Sequence, residues 1–124
     1  MQKSKLRNIV LVILGTVFLA ACTSKTIVPI PVVTGPVSFS TDVIPVFSSN
    51  CAISGCHVAG NIAPDLTASK AYNSLMTMNL VDTVHPNQSV IYLKISTGTM
   101  NQYIKTPVNQ QIILNWITQG AKNN

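Results

Sequence analysis

The three cysteines of this 124-residue chain, Cys22, Cys51 and Cys56, limit its fold more than any other feature. Cys22 closes an N-terminal apolar run and stands apart. Cys51 and Cys56 are close together, and His57 directly follows the second. An odd count asks which cysteine is left over, and position answers with Cys22. The part left to fold, residues 37–124, is small. Small domains seldom bury enough apolar surface to stand without a disulfide, a metal or a cofactor. Cys51, Cys56 and His57 are the residues placed to supply that help.

Residues 1–21 read as a signal peptide. Lys3, Lys5 and Arg7 form a basic start, and an apolar run follows from Ile9 to Ala21, interrupted by Gly15 and Thr16. That run is short of the ~20 apolar residues of a membrane-spanning helix. Leu19-Ala20-Ala21-Cys22 resembles the lipobox of bacterial lipoproteins. The resemblance implies cleavage before Cys22, diacylation of its thiol and acylation of the new N-terminus. Several acyl chains anchor stably, because each buried methylene contributes ~0.8 kcal/mol. Thr23, not aspartate, follows Cys22. On the same resemblance this favours the outer membrane, with the folded part in the periplasm. Residues 22–36 are then the lipidated cysteine and a linker, whose Pro29, Pro31 and Pro36 deny a helix and favour an extended tether.

Composition misleads until that segment is set aside. The net charge of +5 owes much to the first seven residues. Beyond them Lys25, Lys70, Lys94, Lys105 and Lys122 are scattered against Asp42, Asp65 and Asp82. No cluster or aromatic interleaving suggests a phosphate-tracking surface, so nucleic acid is not an expected partner. No glycine-rich phosphate loop or nucleophile–base pattern suggests an enzyme.

Residues 37–124 predict a mostly α domain of four helical blocks. The first runs from Asp42 to Ser49, with Thr41 as N-cap and Val43, Ile44, Val46 and Phe47 on its apolar side. The second, Ala68 to Thr77, is capped by Thr67. The third, Ser89 to Ile95, follows a turn at His85-Pro86-Asn87. The fourth runs from Pro107 to Gln119, with Thr106 as N-cap, proline at its first position, and Ile112, Ile113, Trp116 and Ile117 as a stripe. Gly120 stops it.

The chemistry rests on Cys51-Ala52-Ile53-Ser54-Gly55-Cys56-His57. In c-type haem attachment two thiols add to the two vinyl groups, and the histidine after the second thiol ligates the iron. The common spacer is two residues; here it is four, a departure also met in some multihaem cytochromes. Ser54 and Gly55 let the longer loop bulge without strain. Other readings use the same residues. A Cys51–Cys56 disulfide suits an oxidising compartment but leaves His57 unexplained. A zinc site needs a fourth ligand, for which His85 is the candidate.

Around this motif the chain resembles the class I cytochrome c family, from Val37 to Ala121. The segment from Asp42 to Phe47, leading into Asn50-Cys51, is similar to the family's first helix. Ala63-Pro64-Asp65-Leu66 resembles the loop in which a proline carbonyl accepts a hydrogen bond from the proximal histidine, which implies that Pro64 orients His57. Asn87 to Lys94 resembles the family's turn and short helix. Thr97-Gly98-Thr99-Met100 falls where the family places its methionine ligand, although Asn101 and Gln102 stand where relatives often have prolines. Asn109 to Ala121 is similar to the closing helix that crosses the first, which would bring Phe47 and Trp116 together.

The resemblance implies a domain wrapped around one covalent haem c. Cys51 and Cys56 are the thioether residues, and His57 and Met100 the axial ligands. His85 is the alternative sixth ligand, while Met76 and Met78 read as core. The implied function is electron transfer with redox protein partners from a lipid-anchored position on the membrane. Two alternatives stay open: a haem-free, disulfide-bonded binding lipoprotein, and a haem sensor or peroxidase-like enzyme with an open iron site.

Overall fold

Two helical segments of this chain open on a small polar cap, Ser38 and Thr106, and two close on a residue of positive φ, Asn79 and Gly120. The computed structural model describes residues 32–104 and 106–124. The segment expected to be a signal peptide, Cys22, the expected tether as far as Pro31, and Lys105 lie outside the described residues. What is described is mostly helical, with no strand among these residues.

Helix α1 spans Ile44–Asn50 and continues a single π-turn at Phe39–Val43. The N-cap is Ser38, whose hydroxyl accepts from the Thr41 N–H, while the Asp42 carboxylate accepts from the Ser38 N–H at 2.7 Å. Thr41, expected as the cap, is therefore already inside the first turn. The physical reason is Pro45. Its ring would meet the carbonyl four residues back in an unbroken α-helix, and the wider π-turn just ahead makes room for it.

Helix α2 spans Ala71–Thr77, beginning later than the sequence suggests. Thr67 opens a turn in which its carbonyl accepts from Lys70 and Ala71, and its own N–H and hydroxyl donate to Asp65. Asn79, in the left-handed region at φ 52°, closes α2: its N–H reaches the Met76 carbonyl and Leu80 reaches Leu75.

Helix α3, Val90–Ser96, follows a 3₁₀ turn at Pro86–Gln88. Ser89 makes no cap; its buried hydroxyl accepts from the Asp82 N–H and donates to the Asp82 carbonyl. Helix α4, Pro107–Thr118, starts as expected, with the Thr106 hydroxyl accepting from Asn109. Gly120 at φ 94° ends it, with paired bonds from Gly120 to Ile117 and from Ala121 to Trp116.

The π-turn and α3 both pack on α4. The core between them holds Val43, Val46, Phe47, Leu66, Leu75, Ile95, Ile113, Trp116 and Ile117, all buried. Phe39 is the ring that joins the first and last helical segments. Its centroid lies 5.0 Å from that of Trp116, 5.4 Å from Tyr72 and 6.5 Å from Phe47. Phe39 and Tyr72, and not Phe47, thus make the aromatic contacts with Trp116, because the π-turn brings the earlier phenylalanine onto α4. Val33 packs against the core, its carbonyl held by Asn115 and that of Gly35 by Gln119.

Candidate haem site

The four-residue spacer folds into a turn that returns the chain to its starting point. After α1, the Cys56 N–H donates to the Ile53 carbonyl at 2.9 Å, with Gly55 third in this turn at φ 80°. A turn with positive φ at its third residue favours glycine. The His57 N–H then donates to the Cys51 carbonyl at 3.1 Å. The extra length is absorbed within the turn, and His57 stays beside Cys51. Both thiols are free. Cys51 is buried and Cys56 partly so. Burial, reinforced by the neighbouring Cys56 sulfur, pushes the Cys51 thiol up to about 11.

His57 is held by backbone that follows it. Its Nδ1 lies 3.1 Å from the Pro64 carbonyl and 3.2 Å from the Ile62 carbonyl. Both partners are acceptors only, so Nδ1 is the donor, and in the neutral imidazole the lone pair then lies on Nε2. The same loop is closed by a bond from the Leu66 N–H to the His57 carbonyl at 2.9 Å.

His57 and Cys51 line an apolar cleft of about 310 Å³ between this loop, α3 and the loop that follows it. Leu66, Leu80, Ile91 and Ile95 give it aliphatic walls, and Met100 lines it as well. A second compartment of about 160 Å³ shares Cys51, His57, Ile62 and Met100 with the first and adds Asn50, Cys56 and Tyr103. Cys51, His57 and Met100 therefore border both of these neighbouring compartments, with Pro64 on the first and Cys56 on the second. Ligand sites in proteins have this character, concave and apolar with few convergent polar groups.

His85 is not among the lining residues. It lies 60% exposed, with Nδ1 3.3 Å from an Asp82 carboxylate oxygen. Among the described residues, no three His, Cys, Asp or Glu side chains gather as a metal-binding group. His85 is thus placed neither to complete a zinc site with Cys51, Cys56 and His57 nor to reach the cleft.

Sequence reasoning missed several lining residues. Met78, read as core, is half-exposed at the cleft, as are Ile62 and Val90. Lys94 and Thr99 add the polar part of the lining. Asn50 is only 6% exposed, and its amide donates to the Val46 carbonyl at 2.7 Å while its Oδ1 has no partner. Its place directly before Cys51 was the available signal.

No protein-family model matches this chain, and neither a curated protein nor a solved structure shows significant similarity to it.

Proposed function

We propose that this chain is an exported, lipid-anchored electron-transfer protein that carries one covalently attached haem c. The observation that carries the proposal is the state of His57. Its Nδ1–H is tied to two backbone carbonyls, and its Nε2 lone pair is left free beside two cysteines in an apolar cleft that Met100 also lines. A histidine that ligates a metal needs this arrangement, with the second nitrogen fixed by a carbonyl so that tautomer and ring plane are set.

The residues fit a haem on further grounds. The cleft walls are aliphatic, and Ile62, Met78 and Val90 expose apolar surface around it that a flat apolar body would cover. When bound, haem supplies one-electron chemistry at its iron. The chain's own residues do the rest. Cys51 and Cys56 hold the group through thioethers. His57 is the proximal ligand, and Pro64 with Ile62 fixes it and raises its donor strength. Met100 is the sixth ligand, a soft thioether that favours the reduced state relative to a second histidine. The aliphatic walls exclude water. If His57 and Met100 both hold the iron, no position on it would be left for substrate, so the role would be transfer and not catalysis. Attachment through Cys22 would keep the domain at the membrane, within reach of redox protein partners.

The test is a pyridine haemochrome spectrum, together with a haem-stained denaturing gel, of the chain expressed with a cytochrome c maturation system. The expected result is a c-type spectrum, with stain co-migrating with the polypeptide, weakened in C56S and lost in the double variant C51S/C56S. A haem-free chain alongside a fully matured control cytochrome would refute the proposal in favour of a binding lipoprotein. An unchanged spectrum in M100A would refute the six-coordinate assignment in favour of an open-iron sensor or peroxidase.

A further inference from the structure

Met100 lies on the loop that leaves α3, and the next residue, Asn101, is bonded back to the end of that helix. On the reading above, in which Met100 ligates the iron, we propose that the Asn101 side-chain amide is the positioning residue that keeps Met100 there. Its Nδ2 donates to the Ile95 carbonyl at 3.1 Å and to the Ser96 carbonyl at 2.5 Å. These carbonyls belong to the last turn of α3, where helix carbonyls lack intrahelical partners. Both partners are acceptors, which fixes the amide orientation and makes donation the whole of its role.

The backbone around Met100 depends on the same helix end. The Met100 N–H reaches the Lys94 carbonyl at 3.0 Å, and the Gly98 N–H reaches Leu93 at 2.8 Å. These bonds fix the loop as it approaches Met100, and Asn101 fixes it as it leaves. A proline would restrict the backbone torsion at that point, and the amide achieves a similar restriction by tying the residue to a rigid helix end. Asn101 does not line the cleft. It acts by raising the effective concentration of the Met100 thioether at the sixth position.

Loss of the two bonds should let an added ligand compete with Met100 about tenfold better, taking one to two net hydrogen bonds as the difference. The experiment is an imidazole titration of the ferric full-length protein, with the methionine–iron charge-transfer band as a second readout. N101A and N101D are compared with Q110A. Asp keeps the shape of Asn but has no N–H to donate. The Gln110 amide also donates to the Ile95 carbonyl, at 2.9 Å, but from α4 and not from the ligand loop. It therefore reports general loosening of the helix end.

The expected result is about tenfold tighter imidazole binding and a weakened band in both Asn101 variants, with Q110A like the wild type. Wild-type binding in N101A, or an equal gain in Q110A, overturns the proposal alone, provided that M100A alters the spectrum. If the wild type carries no covalent haem, or M100A leaves its spectrum unchanged, the underlying reading falls and the proposal with it.

Discussion

Gly98 is the position where one methyl group should do the most damage for its size. A Cβ built there would lie 2.9 Å from the Leu93 carbonyl oxygen, 2.9 Å from the Lys94 Cα and 3.1 Å from the Lys94 carbonyl oxygen. All three are backbone atoms of α3, so no side chain can move aside. G98A must therefore lift the loop from the helix end. The bonds from Gly98 to Leu93 and from Met100 to Lys94 then lengthen or break. At ~1 kcal/mol net for each, the loss is about 2 kcal/mol. Alanine returns part of that, ~0.4–1 kcal/mol, by restricting the unfolded chain. A net destabilisation of about 1–1.5 kcal/mol remains, equivalent to a fall in Tm of several degrees for a domain of this size. Urea unfolding followed by fluorescence of Trp116, the only tryptophan and 1% exposed, would measure it. Because Met100 is two residues away, the haem-loaded variant should also lose part of its methionine ligation. A G98A protein as stable as the wild type, with an unchanged charge-transfer band, would refute the reasoning.

Three further predictions concern groups that the structure singles out. N50L, which removes the unpaired buried Oδ1 together with the Val46 bond, should unfold within about 1 kcal/mol of the wild type, whereas N50D should be markedly less stable at neutral pH because it buries a carboxylate; urea midpoints decide between them. In the haem-free protein Cys51 should stay protonated at neutral pH and react with iodoacetamide more slowly than the partly exposed Cys56; labelling of Cys51 first, seen by peptide mass spectrometry, would contradict the burial argument. Asp82 is held below the usual carboxylate range first by the His85 backbone N–H, then by that of Val84 and by the His85 side chain. Its contribution is therefore complete above the ordinary value of ~3.9 and fades as pH falls through the lower folded value, so D82N should flatten the acid limb of a Tm–pH curve.

Much of this protein was legible before any coordinate. Helix type and number followed from apolar spacing, and α4 could be placed almost to the residue because Thr106, Pro107 and Gly120 act through bonds to near neighbours. The cluster of Cys51, Cys56 and His57 was equally plain, since residues so close in sequence have little freedom to part. Local rules failed where a distant group intervened. Thr41 lost the cap to Ser38 because Pro45 called for a π-turn, and that turn exchanged Phe47 for Phe39 on Trp116.

The sequence by itself determined the local order of this chain: which segments are helical, which residues stop them, and which side chains are candidates for chemistry. Only the tertiary structure decided which of those side chains share a space. His85 and Met100 were both candidates along the chain, but His85 is held outward by Asp82, while the loop bonded to the end of α3 brings Met100 to the cleft that His57 lines. The physical reason is range. Capping and turn formation are settled within a few residues, whereas a cleft is closed by contacts between segments far apart in sequence, whose meeting depends on how the whole core packs.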